Sequence, residues 1–132
     1  QFGYRHSVFS DKDWCITKVK MQLRPGDPAE IRRTMEDLME RRKSKQPLEY
    51  PSAGSFFKRP PGHFAGALIE GCGLKGFAVG GAQVSEKHAG FVVNRGGATA
   101  QDVLRLCEAV QERVFREQGV QLEPEVRFIG EF

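Results

Sequence analysis

The sequence predicts an α+β fold in which a largely antiparallel sheet packs with two longer helices and one short helix. Helical and strand-like segments alternate irregularly along the 132 residues, and neither a repeated βαβ unit nor an internal repeat is present. Hydrophobic residues make up 39% of the chain and charged residues 28%, which is typical of a soluble globular protein. We expect one domain over residues 1–132, without a membrane span, because every apolar run is too short to cross a bilayer.

The first predicted strand lies between Trp14 and Leu23. Apolar and polar side chains alternate there, so that Cys15 and Val19 fall on one face and the lysines between them on the other. This period of two is typical of a strand with one buried face. The "RPGDP" segment that follows ends the strand because its prolines cannot continue a ladder.

A helix is predicted from Pro28 to about Arg42. Asp27 is placed to cap it, Pro28 suits the first helical position, and Glu30 lies where the helix dipole favours a carboxylate. One face of this helix carries apolar residues at helical spacing: Ile31, Met35, Leu38 and Met39. The other face carries the i,i+4 pairs Arg32–Glu36 and Arg33–Asp37.

Residues 44–62 predict a long ordered loop. The segment holds four prolines and two glycines, and each proline removes a backbone donor. Loops of this length usually carry function, so we expect this segment to contribute to a site.

Further along the chain, a short helix is predicted from Phe64 to about Gly71 or Gly73, where glycines stop an apolar run. The segments "GFAVGGAQVS" (residues 76–85) and "AGFVVN" (residues 89–94) contain valine and phenylalanine and are bounded by glycines. That composition favours strands.

The clearest helical pattern begins after residue 99. Thr99 and Asp102 have the spacing of a capping box, and Gly119 is placed to end the helix. The apolar stripe of this helix consists of Val103, Leu106, Cys107, Val110 and Val114. The segment "EVRFIG" (residues 125–130) then predicts a closing strand.

Cys15, Cys72 and Cys107 are interpreted as core thiols. They are odd in number, widely spaced and in no CxxC pair, which argues against a disulfide framework or a thiolate zinc site. Such thiols suit a reducing cytosol. The three histidines are too dispersed to predict a metal site, and we expect no bound metal.

The net charge of +3 is modest, and the basic residues cluster once, in "RRKSK" (residues 41–45). With a pI near 8.9, this cluster raises the alternative of a nucleic-acid-binding module. That alternative is disfavoured, because the basic residues are not interleaved with aromatic residues and acidic residues occur in both longer helices. We expect neither a nucleic-acid partner nor a membrane partner.

Ser55 is the most unusual polar residue of the predicted loop, since it lies between Gly54 and two phenylalanines. It lacks the second glycine of a nucleophile elbow, which disfavours an acyl-transfer triad. Two interpretations stay open: a turn serine bonded to its own backbone, and a proton donor kept dry by Phe56 and Phe57. In "LEPE", Glu125 is likewise either a solvated carboxylate or one aimed by the preceding proline.

Five segments in order, "YRHS", "KQPLEYPSAGSFFKRP", "GGAQVSEKHAGFVVN", "GGATAQDV" and "LEPEVRFIGEF", carry a specific resemblance. Together they resemble the C-terminal half of the UDP-N-acetylenolpyruvoylglucosamine reductase (MurB) family, over nearly the whole chain. The resemblance implies an NADPH-dependent FAD oxidoreductase of peptidoglycan synthesis, acting in the cytoplasm in cell-wall biogenesis, cell shape and cell division. It would convert UDP-N-acetylglucosamine enolpyruvate to UDP-N-acetylmuramate.

The resemblance also implies roles for individual residues. Ser55 matches the family's proton donor, and Arg5 and Glu125 match its other two catalytic positions. The planar guanidinium of Arg5 would pair with the substrate carboxylate. Glu125 would orient the proton donor Ser55 or share its proton. The remaining matches are Lys45 and Arg59 toward the UDP phosphates, His88 and Tyr4 toward the substrate, and Arg127 toward the flavin.

The family's flavin-binding portion lies mostly upstream of "YRHS", and this chain starts at Gln1, so we expect a piece of a longer protein. We expect it to be a substrate-binding domain that works beside a FAD-binding domain. Alone it should be inactive and bind neither FAD nor NADPH. The alternative function is a non-catalytic module that binds UDP-sugars. The presence of Arg5, Ser55 and Glu125 disfavours this alternative, because a protein that only binds its ligand has no need of a proton donor.

Overall fold

The computed structural model describes residues 2–3, 6–10 and 12–130. The chain divides into two compact units, Gln1–Arg33 and Thr34–Phe132. The assignment of residues 1–132 to one substrate-binding domain therefore stays a prediction. In the described part of the chain, each helix is too short or too polar to cross a membrane.

The first unit contains a short antiparallel ribbon. Strand β1 (Phe2–Gly3) pairs with β2 (His6–Ser7), with Phe2 opposite Ser7 and Gly3 opposite His6. The edge of the Phe9 ring meets Trp14 at a centroid distance of 6.0 Å.

The strand predicted between Trp14 and Leu23 is wrong. Residues 13–27 form no helix or strand, and the large apolar side chains from Trp14 to Leu23 are between 57% and 82% exposed. Alternation specifies which face a strand would bury, but a strand forms only where a neighbour accepts its backbone hydrogen bonds. For the same reason Cys15 is exposed, so its interpretation as a core thiol is wrong.

Helix α1 (Pro28–Lys45) begins where its cap predicts and extends three residues beyond the predicted end. Asp27 Oδ1 accepts hydrogen bonds from the amides of Ala29 at 2.7 Å and Glu30 at 3.3 Å. The predicted apolar stripe is 49–65% exposed rather than buried. The observed ion pairs differ from the predicted ones: they are Glu30–Arg33 at 3.7 Å and Asp37–Arg41 at 2.8 Å.

The second unit is built on a four-stranded antiparallel sheet. Its strands are β3 (Ser52–Ser55), β4 (Ala78–Val79), β5 (Ala82–Val84) and β6 (Phe91–Asn94), in the order β3-β6-β5-β4. The predicted loop at residues 44–62 therefore begins in a helix and contains a strand. "GFAVGGAQVS" forms a β-hairpin rather than one strand, because Gly80, with φ of 54°, supplies a turn between β4 and β5.

Helices α2 (Ala65–Gly71) and α3 (Ala100–Gln118) lie in the second unit and form where they are predicted. Helix α2 follows Phe64, and α3 starts with a complete capping box in which Thr99 and Asp102 each accept the other's backbone amide. Gly119 ends α3 in the left-handed conformation, at φ 67°. The predicted α+β class with a largely antiparallel sheet is confirmed.

The core of the second unit lies where α2, α3 and the sheet meet. Its fully buried side chains include Phe56, Ile69, Val84, Leu106, Val110, Val114 and Leu122. Burying a side chain of this size stabilises the fold by about 1.5–3 kcal/mol relative to its exposed state. The apolar stripe predicted for α3 faces this core, with Leu106, Cys107, Val110 and Val114 buried.

The closing strand predicted at residues 125–130 is wrong. Residues 125–130 contain no strand, and a single bridge forms just before them, between Phe57 and Pro124. Pro124 has no amide hydrogen, so it cannot donate to a ladder, and beyond Glu125 the chain has no strand geometry.

Candidate functional site

The segments that carry Ser55 and Glu125 are joined by backbone hydrogen bonds. Ser55 ends β3 opposite Phe91 on β6. Directly after it, the Phe56 carbonyl accepts the Glu125 amide at 2.9 Å. Glu125 therefore lies opposite the residue next to Ser55, although the two are far apart in the sequence.

A second pair of contacts holds this junction two residues further along each segment. The Lys58 amide donates to the Glu123 carbonyl at 2.8 Å, and the Lys58 ammonium forms an ion pair with the Glu123 carboxylate. Together with the Phe57–Pro124 bridge, these bonds fix the register of the two segments. Reasoning from the sequence missed the role of Lys58 and Glu123, because neither segment shows locally which partner it will meet.

A bulge in β3 determines how Ser55 is presented. The pairing with β6 shifts register between Ser52 and Ser55, where Gly54 adopts φ of 89°. A side chain is strained at this φ, so glycine suits the position. The irregularity is followed by two consecutive buried residues, Phe56 and Phe57, while Ser55 itself is exposed.

The exposure of Ser55 corrects one expectation. Phe56 and Phe57 do not keep its hydroxyl dry, because their rings belong to the core, where they meet edge to face at 5.2 Å. Any shielding of Ser55 has to come from a bound ligand or from a part of the protein outside these contacts.

The hydroxyl groups of Ser52 and Ser55 differ in their bonding. Ser52 Oγ donates to the Val92 carbonyl at 2.8 Å and accepts the Gly54 amide at 3.1 Å, so it is the turn serine of this strand. Within the described part of the chain, the Ser55 hydroxyl makes no hydrogen bond. The Ser55 hydroxyl is therefore available to a ligand.

His88 is tied to the same junction through Gly90. The Gly90 amide donates to His88 Nδ1 at 3.1 Å, and the Gly90 carbonyl accepts the Phe56 amide at 2.9 Å. Because Nδ1 accepts a hydrogen bond, the neutral ring carries its proton on Nε2. The ring packs edge to face on Phe91 at 4.9 Å and is exposed, so it offers an oriented donor.

The two residues predicted to meet phosphates lie at separate places. Arg59 follows the junction, and its Nε donates to the His63 carbonyl at 3.2 Å. Lys45 is the last residue of α1 and is exposed. Among the described residues, no hydrogen bond or ion pair joins Arg59 or Lys45 to Ser55.

Arg127, Tyr4 and Arg5 are the remaining predicted site residues. Arg127 is exposed, two residues beyond Glu125. Tyr4 and Arg5 lie outside the described residues. In the ranges that the structure describes, no group of three or more histidine, cysteine or acidic side chains could hold a metal.

Two cavities of the second unit lie apart from the predicted site residues. One, of ≈ 280 Å³, is lined by Cys72, Gly73, Leu74, Phe77, Ala109, Glu112, Arg113 and Arg116. The other, of ≈ 190 Å³, is lined by Pro47, Glu49, Tyr50, Gln83, Ser85, Glu86, Lys87, Val93 and Arg95. Neither is lined by Ser55 or Glu125, both of which are exposed.

Three pKa shifts have structural causes. Hydrogen bonds from Thr99, first of all from its backbone amide, lower the pKa of Asp102. Burial raises the pKa of the Cys72 thiol, and burial also raises the pKa of Cys107 to about 11. These two thiols behave as the core thiols that the sequence predicts.

Comparison with known proteins identifies the type of domain. Residues 46–129 match the family described as "UDP-N-acetylenolpyruvoylglucosamine reductase, C-terminal domain". A protein of that name from Caldanaerobacter subterraneus is 53% identical over 131 residues, which are 99% of this chain and 43% of the relative. Another from Agathobacter rectalis is 56% identical over 98% of this chain and 41% of its own length.

A solved structure is similar as well. The crystal structure of UDP-N-acetylenolpyruvylglucosamine reductase (MurB) from Thermus caldophilus matches with a TM-score of 0.61 and 44% identity, over 80% of this chain and 37% of that one. The chain thus spans less than half the length of these relatives.

Proposed function

Because the chain belongs to the family of UDP-N-acetylenolpyruvoylglucosamine reductase C-terminal domains, we propose that it is the substrate-binding and proton-donating domain of a flavin-dependent reductase. The substrate is UDP-N-acetylglucosamine enolpyruvate and the product UDP-N-acetylmuramate, a precursor of peptidoglycan. The observation that supports this best is the free, exposed hydroxyl of Ser55, held beside the Glu125 segment.

The proposed chemistry needs an acid on this chain. Reduction of the enolpyruvyl double bond adds a hydride to one carbon and leaves an enolate-like anion, whose second carbon then takes a proton. Ser55 Oγ–H donates that proton, and a new C–H bond replaces the O–H bond. The alkoxide left on Ser55 regains a proton from solvent or from Glu125, which lies opposite the next residue.

We propose that this chain does not bind FAD by itself. Arg127 contributes one exposed guanidinium, which cannot hold FAD alone. The proposal therefore assigns to this chain the proton and the substrate contacts. A FAD-binding domain of the complete enzyme would bind FAD and NADPH and supply the hydride. The relatives are more than twice as long as this chain, which leaves room for such a domain.

Lys45 and Arg59 are proposed to meet the diphosphate, with His88 and Tyr4 as further substrate contacts. Both cations are exposed, so a ligand can reach them without displacing core residues. The planar guanidinium suits two phosphate oxygens, whereas the lysine ammonium acts as a point charge. Arg5 is proposed to pair with the substrate carboxylate.

The location proposed is the cytoplasm. Cys15, Cys72 and Cys107 are free thiols, which suits a reducing compartment.

Steady-state kinetics of the complete enzyme test the proposed role of Ser55. Ser55→Ala should lower kcat about 10²–10⁴-fold, the usual effect of losing a placed general acid. Ser55→Cys, which keeps a proton at this position, should recover part of the rate. Ser52→Ala is the matched control: it removes a hydroxyl from the same strand, but one that bonds only to backbone.

Ser52→Ala should therefore lower thermal stability and leave kcat within a few-fold of the parent enzyme. A Ser52→Ala enzyme as slow as Ser55→Ala would mean that any damage to β3 stops turnover, and the acid role would lose its support. If Ser55→Ala left kcat unchanged, the alternative of a module that only binds UDP-sugars would be favoured for this chain.

A further inference from the structure

The Arg59 side chain folds back on the turn that follows it. Its guanidinium carbon lies 3.9 Å from the centroid of the Phe64 ring, and its Nε donates to the His63 carbonyl at 3.2 Å. A cation over an aromatic face at this distance is attracted by the ring quadrupole. Within the described part of the chain, these contacts leave the edge formed by the two Nη groups uncommitted.

Phe64 occupies a position that fold stability does not explain. It is the N-cap residue of α2, where serine, threonine, asparagine or aspartate would satisfy a free amide, and it makes no side-chain cap hydrogen bond. The residue is 61% exposed and is not part of the core cluster, so it does not serve the core either. The ring contact described for Phe64 is the one with Arg59.

We infer that Phe64 is a positioning residue that fixes Arg59 for a diphosphate, an inference that rests on the proposed function. The ring covers one face of the guanidinium, whereas a phosphate is bound through the edge, so both contacts can exist together. Holding the long side chain in place before the ligand arrives reduces the rotamer freedom lost on binding. Phe64 thereby strengthens phosphate binding without touching the phosphate.

Calorimetric titration of the complete enzyme with UDP and with uridine tests this role. Phe64→Leu should weaken UDP binding about two- to five-fold, as expected for loss of an exposed cation–π contact. Uridine, which has no phosphate, should bind Phe64→Leu as it binds the parent. Phe64→Tyr keeps an aromatic face and should bind UDP like the parent.

Phe115→Leu is the matched control, because Phe115 is 55% exposed on α3. It should bind both ligands like the parent enzyme. In an Arg59→Ala background, Phe64→Leu should cause no further loss of UDP affinity, because the ring acts only through the guanidinium.

The outcomes separate this inference from the proposed function. If Arg59→Ala leaves UDP affinity unchanged, the proposed diphosphate contact is wrong, and the inference falls with it. If Arg59→Ala weakens UDP binding but Phe64→Leu does not, or weakens UDP and uridine equally, the positioning role is wrong and the diphosphate contact stands. A loss of UDP affinity in Phe64→Tyr equal to that in Phe64→Leu would also overturn the positioning role.

Discussion

Gly81 leaves no room for a side chain where the β4–β5 hairpin meets the loop after β6. A Cβ at Gly81 would lie 2.4 Å from the Ala98 nitrogen, 2.5 Å from the Gly96 oxygen and 2.7 Å from the Ala98 Cα. All three are backbone atoms, which cannot rotate away as a side chain can. Asn94 holds this loop further, since its Oδ1 accepts the amides of Gly96 at 2.8 Å and Ala98 at 3.2 Å.

We therefore expect Gly81→Ala to lower the free energy of unfolding by about 1–3 kcal/mol, the usual cost of overpacking. Gly71→Ala is the control. Gly71 ends α2, and its Cβ would meet only Gln118 Nε2, at an ordinary 3.7 Å. Since alanine favours a helix over glycine by at most about 1 kcal/mol, Gly71→Ala should be neutral or slightly stabilising.

Urea unfolding followed by circular dichroism measures both changes, provided that the two variants keep the parent's dependence on denaturant. The two substitutions are chemically the same, so a difference in sign isolates the backbone clash. A Gly81→Ala protein as stable as the parent, or a Gly71→Ala protein destabilised by the same amount, would refute this account of the hairpin.

Three further predictions concern the cap of α3, its buried face and the accessibility of two cysteines. Hydrogen bonds from Thr99 lower the pKa of Asp102 below its ordinary 3.8. The stability that this carboxylate contributes is therefore present above pH 3.8 and is lost as the pH falls through the folded-state pKa. Asp102→Asn should make the free energy of unfolding depend less on pH in the acid range. Leu106→Ala, at a fully buried position, should lower the free energy of unfolding by about 2–5 kcal/mol in urea. At pH 8, a thiol reagent should label the exposed Cys15 quickly and Cys107, whose pKa is about 11, only after unfolding; equal rates would contradict the buried position of Cys107.

The elements that the sequence predicts well are those specified by neighbouring residues. The capping box of Thr99 and Asp102 and the left-handed Gly119 set both ends of α3, and Asp27 with Pro28 sets the start of α1. Caps act within one helical turn, so the chemistry that ends a helix is visible in a few consecutive letters.

The strands depend on partners that are distant in the sequence, and there prediction succeeds only in part: β6 lies within the predicted "AGFVVN", but two other predictions fail. Residues 14–23 have the correct alternation for a strand, yet no ladder forms along them. Conversely, Ser52–Ser55 lies in a segment rich in proline and glycine but pairs with β6. Local composition reports how well a residue fits a strand, and the neighbour that completes the strand lies elsewhere in the chain.

In the candidate site, too, the sequence indicates individual residues but not the distant partners that hold them. Reasoning from the sequence singled out Ser55 and Glu125, and the structure joins their segments, but the bond that does so runs between Phe56 and Glu125 across a long separation. The expected shielding by Phe56 and Phe57 was wrong, because the bulge at Gly54 turns both rings into the core. The proposed roles of Ser55 and Glu125 stay predictions.

The most direct test of the proposed function is stopped-flow measurement of flavin absorbance in the complete enzyme carrying Ser55→Ala. This method separates reduction of the bound flavin by NADPH from its reoxidation by the enolpyruvyl substrate. The account predicts reduction at nearly the parent rate and reoxidation slowed about 10²–10⁴-fold, because the anion formed by hydride transfer lacks its acid. Slowed reduction with normal reoxidation, or normal rates in both steps, would contradict the assignment of Ser55 as the proton donor.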